Sequence, residues 1–540
     1  MHSPSGQHGF GRDAWLRGLS FLVGFASLAW FLVRVIPKPS RASYPCQRAA
    51  VPLASGFVFW VAGLVGAKAL HRKAAVLARR SRWALAGAAL ALVVLAVWLP
   101  LGAVWDAAAQ GPSANVEAFK PSEPPNTPMG LGKGIHPGRV VWIRDPQATS
   151  WDGKEGYWWD DANTSQAAVD RMTSETLQNL TGTKSDKQAW DALFRYFNQA
   201  RQLGNAGYRA GEKIAIKINA NQDRSAEWGK GGPPRMGRGP QNGLPSPHVV
   251  SALVTQLINA AGVPGEDITI YEAAQGRNIG QPIYGRIRAN PNANFQAVKF
   301  VVNNDYGLGG RIAPTPDKSN PVRFSKAEVG VADLPQQVTA AKYLINVALL
   351  RPHGMAGVTL IGKNHFGSVY FPDNGGWTPA PLHRWVTRTQ PMGSYNALVD
   401  LMGHRHLGGK TVLYMLDGLY TAEHNEGSVY RFSSFGDTWA ASLLTSQDPV
   451  AIDSVGIDIL RSEPKATQVR GNADNYLHEA ALAAKPPSGT VYDPDGSGKP
   501  LASLGVHEHW NNSTDRKYSR NLGQQEGIEL IAVFRDAVKK

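Results

Sequence analysis

Three kinds of hydrophobic pattern follow one another along this chain. The first is a set of nearly unbroken apolar runs, at about 19–36, 51–70 and 83–105. A membrane-crossing helix needs about 20 mostly apolar residues, so the runs predict three transmembrane helices within residues 1–106. Arg34 falls near the end of the first run, where a long side chain can reach the headgroups. The second pattern, over residues 107–137, has no apolar period and is dominated by Pro, Gly, Ser and Asn. That composition predicts a tether.

Residues 138–540 carry the third pattern, in which short apolar strands alternate with amphipathic helices. Arg139–Arg144 (RVVWIR), Lys213–Asn219 (KIAIKIN), Asp267–Tyr271 (DITIY), Ala297–Val302, Tyr343–Val347 and Thr411–Leu416 read as strands. Ser165–Leu180 and Lys187–Leu203 read as helices. Ser246-Pro247 supplies a cap and a first-turn proline for a helix running to about Ala261, and Asp448 caps another at Pro449–Arg461. The alternation predicts an α/β fold with a mixed or mostly parallel sheet. Ligands of such sheets sit beyond the carboxyl ends of the strands. Polar groups stand at four of those ends: Ala220–Asp223, Glu272–Gly276, Arg351 to Gly367, and Asp417-Gly418.

Charge sharpens the division. The net charge is +14, but residues 1–105 hold twelve Lys/Arg and a single acid, Asp13, against 44 bases and 41 acids in the rest. The near-neutral large part argues against a nucleic-acid partner. The tail and the 71–82 loop carry seven bases against three in the 37–50 loop, which predicts a cytoplasmic N-terminus and an extracytoplasmic C-terminal domain. The chain has one cysteine, Cys46, which excludes an intrinsic iron–sulfur cluster and any disulfide within one chain.

Lys217-x-Asn219, Ser246-Pro247-His248, LINVALLRPHGMAGVTLIGKNHFG (residues 344–367), LDG around Asp417 and QDPVAIDSVG around Asp453 together resemble the domain-of-unknown-function-362 family, over a core of about 211–460. The stretch from Ala473 to Gly523 looks like an extension found in some bacterial members. The resemblance implies a shared α/β fold and no particular activity; with the apolar runs and loop charges, the expected setting is a bacterial inner membrane. Some members carry ferredoxin-like cysteines, which are absent beyond Cys46 here, so a redox centre would have to come from an envelope partner.

The candidate chemistry centres on the strand ends. Arg351 and Lys363 suit a carboxylate or phosphate; Lys217, Asn219, Asn364 and Asp453 are further candidates for holding a substrate. His353 is a candidate acid or base, because histidine titrates near neutrality. Lys363, if desolvated, is a candidate base or nucleophile. Asp417 would orient or charge-balance these cations; alternatively Arg351 and Lys363 neutralise buried acids such as Asp417 and Asp453. His507-x-His509 and His404-x-His406 place two imidazoles on one face of an extended segment, and His507 with His509 is the preferred candidate for a divalent metal. Phosphate-loop and GxSxG motifs are absent. Three functions remain in view: an enzyme acting on a small anionic substrate, a non-catalytic ligand- or partner-binding envelope protein, and a metal-dependent redox accessory.

Overall fold

Strand Arg139–Arg144 (β1) buries Val140 and Trp142 on one side and Val141 and Ile143 on the other. A strand apolar on both faces belongs between two layers of helices. The computed structural model describes residues 116–536 apart from 221–243, 278, 304–308, 375 and 426. In it β1 is one of eight strands of a single sheet. The others are Ile214–Ile218 (β2), Ile268–Glu272 (β3), Lys299–Val302 (β4), Tyr343–Leu349 (β5), Thr411–Gly418 (β6), Ser442–Ser446 (β7) and Glu529–Phe534 (β8), in the order β8-β1-β7-β6-β5-β2-β3-β4. All neighbours run parallel except the two pairings made by β7. The fold is therefore mixed α/β with a mostly parallel sheet.

Helices cover both faces. Gln166–Thr181 (α1), Asp186–Ala200 (α2) and Pro247–Thr255 (α3) pack with Val141, Ile216 and Ile345 on one face. Pro449–Arg461 (α4) packs with Trp142, Leu344 and Leu416 on the other, beside the helix Asn475–Ala481 (α5). Local chemistry sets the boundaries. Ser165 and Ser246 accept hydrogen bonds from Ala168 N and Val249 N at the starts of α1 and α3. Asp448 accepts from Val450 N and Ala451 N at the start of α4. Gly182 ends α1 with φ 72°, a left-handed conformation that glycine adopts without strain.

The chain leaves β2 for β3 and β4, moving to one edge, then returns to place β5 on the other side of β2. Loops at the carboxyl ends of β2 and β5 thus depart in opposite directions, which opens a crevice between them.

The three apolar runs lie outside the described residues. Among the described residues no helix is long and apolar enough to cross a membrane. The segment expected to be a tether is docked from Val116 onward. Phe119 is buried, Ala118 bridges Arg470, and Met129–Gly130 pairs antiparallel with Val506–His507. Its Pro- and Gly-rich composition excludes helix, but an extended chain can still satisfy its backbone groups against a neighbour.

Candidate functional site

The crevice is a cleft of about 590 Å³ lined from several strand ends. Asn219 follows β2, Glu272 closes β3, and Arg351 lies two residues beyond β5. His353 sits in a short ribbon, Pro352–His353 paired antiparallel with Gly357–Val358. Lys363 and Asn364 come from a single helical turn, Ile361–Asn364. Phe366, Trp377 and His383 complete the wall opposite.

That helical turn is held from behind. Asp453, in α4, accepts from Ile361 N at 2.8 Å, Gly362 N at 3.0 Å and the Tyr476 hydroxyl at 2.9 Å. Asn364 reaches inward and donates to Asn346 Oδ1 at 2.7 Å and to the Val347 carbonyl at 3.0 Å. Lys363 is thereby left to face the cleft. Its Nζ lies 3.9 Å from the centroid of the Phe366 ring, and no carboxylate among the described residues pairs with it. Burial without a compensating anion pulls its pKa down to about 7.

Arg351 is 2% exposed. Its Nη1 donates to the Asn425 carbonyl at 3.4 Å, while Nε and Nη2 make no hydrogen bond among the described residues. Burial pulls its pKa to about 10, with the more distant Asp417 acting against that, so it stays charged at neutral pH. A guanidinium with two unused buried donors presents the fork that a carboxylate or phosphate fills.

His353 differs from the sequence expectation. Its Nδ1 accepts from Met355 N at 3.0 Å and Ala356 N at 3.2 Å. The ring proton is then on Nε2. Burial first, and then Lys363, His383 and Arg388, push its pKa well below the usual histidine value. At neutral pH it is an uncharged hydrogen-bond donor, not an acid or base poised near neutrality.

Glu272 is the one carboxylate among the described lining residues, and Lys217 neutralises it, with Nζ to Oε2 at 3.1 Å. Lys217 is fully buried and also donates to the Ile218 carbonyl at 2.6 Å, so it underlies the cleft without lining it. Gly367 packs directly on this pair: a Cβ at that position would lie 1.7 Å from Glu272 Oε1 and 2.8 Å from Lys217 Nζ, so any side chain there displaces the pair.

The sequence candidates thus separate. Asn219, Arg351, His353, Lys363 and Asn364 meet around one cleft. Lys217, Asp417 and Asp453 stand behind it. Asp417 accepts from Ser246 N at 2.7 Å and Leu419 N at 3.2 Å, tying the start of α3 to the end of β6, and burial raises its pKa to about 6. Burial likewise raises Asp453 to about 7. Neither acid is within ion-pair distance of Arg351 or Lys363; their partners are backbone N–H groups and a tyrosine. Residues not singled out from the sequence are Phe366, Trp377 and His383, which only chain folding brings to the wall, and Glu272, whose signal was its place at a strand end.

His507 and His509 lie away from this cleft, in a buried group with Glu123 and Asp474 whose donor atoms all fall within 4.8 Å of one another. His404 and His406 form no such group among the described residues. His404 Nε2 faces the Pro321 carbonyl, and His406 Nε2 faces Asn320 Oδ1.

The family model described as Domain of unknown function (DUF362) matches residues 234–458, less than half of the chain. No curated protein matches the chain. The matched segment holds every cleft-lining residue except Asn219; Glu123, Asp474, His507 and His509 all fall outside it.

Proposed function

We infer, for a chain whose residues 234–458 belong to the DUF362 family, that the cleft binds a small anionic substrate and that Lys363 exchanges a proton with it. The observation that carries this reading is the pair of buried cations, Arg351 and Lys363, lining one cleft with no carboxylate partner among the described residues. A buried charge without a counter-ion costs several kcal/mol. Such a cost is retained where a ligand of opposite charge offsets it.

Each residue then has a part. The Arg351 fork and the His353 Nε2–H donate to the anion. Lys363, with a pKa of about 7 in the free protein, is part amine and part ammonium at neutral pH, which suits it to accept and return a proton. Asn219 and Thr359, 3.4 Å apart, offer neutral polar contacts on the β2 side. Phe366 and Trp377 give the wall an apolar face for the remainder of the substrate. Lys217, Asp417 and Asp453 act through the backbone and side chains they hold. The cleft is read as extracytoplasmic, on a three-span anchor in a bacterial inner membrane. The apolar runs and the seven-to-three excess of basic residues on the loops support that reading.

The test is calorimetric titration with inorganic phosphate, pyrophosphate and succinate, on wild type and on Arg351→Ala and Lys363→Met. Binding by wild type that weakens roughly 10–100-fold in each variant supports the reading, since a hydrogen bond to a charged group contributes about 1.5–3 kcal/mol. Binding that both variants retain would overturn it. A bound anion with no proton transfer at any pH would leave a binding protein without turnover.

A further inference from the structure

A second group of buried polar side chains joins three distant parts of the chain. Glu123 comes from the segment that enters the domain, Asp474 and His478 from α5 and its cap, His507 from the short strand that pairs with Met129–Gly130, and His509 from two residues beyond it. His507 Nε2 and His509 Nε2 approach Glu123 Oε1 at 3.1 and 3.3 Å. His509 Nε2 is 3.6 Å from Asp474 Oδ2, and His478 Nε2 is 3.2 Å from Glu123 Oε2 and 3.5 Å from Asp474 Oδ2. Despite this proximity, Glu123 Oε1, Asp474 Oδ2 and the Nε2 atoms of His478, His507 and His509 are buried and make no well-directed hydrogen bond among the described residues. His507, His509 and Asp474 are 0%, 0% and 1% exposed.

The opposite sides of two of these rings are fixed. Asp458 Oδ1 lies 2.6 Å from His509 Nδ1 and accepts a hydrogen bond from its N–H. Ser454 Oγ donates to the Val450 carbonyl at 2.7 Å, so it accepts from His507 Nδ1, also at 2.7 Å. With both protons on Nδ1, the Nε2 lone pairs point inward, toward two carboxylates. Lone pairs facing carboxylate oxygens repel one another unless a positive charge lies between them, either a metal ion or a second proton on a ring. Asp458 gives His509 the carboxylate–histidine form that orients an imidazole toward a metal, and the Ser454 hydroxyl orients His507.

We propose that this group binds one divalent first-row transition ion through His507 Nε2, His509 Nε2, Glu123 and Asp474, with His478 as a further donor. Imidazole nitrogens favour such an ion over calcium or magnesium, which take oxygen donors, and two carboxylates balance its charge. Burial of His507, His509 and Asp474, with Glu123 half-buried at the edge, suits a structural site. The ion clamps the entering segment, through Glu123, to α5 and to the 506–510 segment, and so ties together parts of the chain that the DUF362 match does not include. This proposal is independent of the cleft.

Elemental analysis of the full-length chain, purified without chelator or a metal-affinity column, tests it. About one equivalent of a single first-row transition ion is expected. Chelation should lower the melting temperature. Co2+ added to the chelated wild type should restore it and give visible d–d absorption. Ser454→Ala, which removes only an outer partner, should weaken Co2+ binding roughly tenfold, and Glu123→Gln should weaken it more. Less than about a tenth of an equivalent of metal, combined with no d–d absorption on Co2+ addition, would overturn the proposal. So would stoichiometric metal that Glu123→Gln and Ser454→Ala bind as tightly as wild type. The cobalt titration of wild type decides the matter even if a variant fails to fold.

Discussion

The cleft and the histidine–carboxylate group are both buried, polar and incompletely hydrogen-bonded, but with opposite sign. In the cleft the unused atoms are donors: two guanidinium nitrogens of Arg351, in the same lining as a Lys363 ammonium that has no carboxylate partner among the described residues. In the second group they are acceptor atoms: carboxylate oxygens and imidazole nitrogens whose protons are committed elsewhere. Buried polar atoms that lack partners are costly, and their sign indicates what would satisfy them. Donors call for an anion and lone pairs for a cation. The two regions also differ in origin. The cleft is built almost wholly from the segment matched to DUF362, while the donors of the second group come from outside it.

The largest expected effect concerns the scaffold of the cleft. Gly367→Ala drives a methyl group into the Glu272–Lys217 pair and should cost roughly 3–5 kcal/mol, the range for breaking a buried ion pair. Chemical denaturation measures it, and a loss under 1 kcal/mol would mean that the pair relaxes freely. Asp453→Ala leaves Ile361 N and Gly362 N without an acceptor and should cost about 3 kcal/mol. It should also weaken phosphate binding, because the turn that presents Lys363 loses its anchor. Unchanged affinity would show that Asp453 stabilises the fold without placing the lysine.

A cross-test separates the two regions directly. Lys363→Met should remove the rise in melting temperature caused by phosphate, a loss of about 2 kcal/mol in binding, and keep the rise caused by zinc. Glu123→Gln should do the reverse. If either variant loses both responses, the regions are not independent and the contrast of sign fails.

The smallest effect is on stability and carries a pH signature. Lys363 has a pKa of about 7 when folded, against an ordinary value of 10.5. Below pH 7 both folded and unfolded states hold the proton, and the burial cost is fully present. Between about 7 and 10.5 the unfolded state binds more protons, so this cost fades as pH rises. Without ligand, Lys363→Met should therefore be more stable than wild type by about 1–2 kcal/mol at pH 6.5. The margin should shrink by pH 9.5. Thermal unfolding of both proteins at the two pH values checks this, and a constant margin would show that Lys363 is not strained by burial.

Much of the architecture was legible from local pattern. RVVWIR is a strand with β-branched residues on both faces, and KIAIKIN has them on one face, opposite Ala215 and Lys217. Ser165, Ser246 and Asp448 cap the helices they precede, because a short polar side chain can reach its own helix N-terminus. The rule that ligands gather beyond parallel strand ends located Asn219, Arg351, His353, Lys363 and Asn364. Other features were not legible. Strand β7 runs against its neighbours, which no periodicity reveals. Asp417 and Asp453 read as charge partners for the cations, yet their hydrogen bonds go to backbone N–H groups and a tyrosine, with Asp417 acting on Arg351 only from beyond ion-pair distance, and His353 is too deeply buried to titrate near neutrality. Glu123 lay in a stretch whose composition reads as linker.

The sequence by itself determined six of the eight sheet strands, helices α1 to α4, their caps and the end of the sheet at which polar groups collect. These depend on interactions between residues a few positions apart. Tertiary structure decided which lysine is neutralised and which is not, which aspartates face backbone, and that Glu123 meets His507 and His509. Those outcomes follow from long-range closure and burial, since a side chain's charge state and partners are set by what the folded chain places against it.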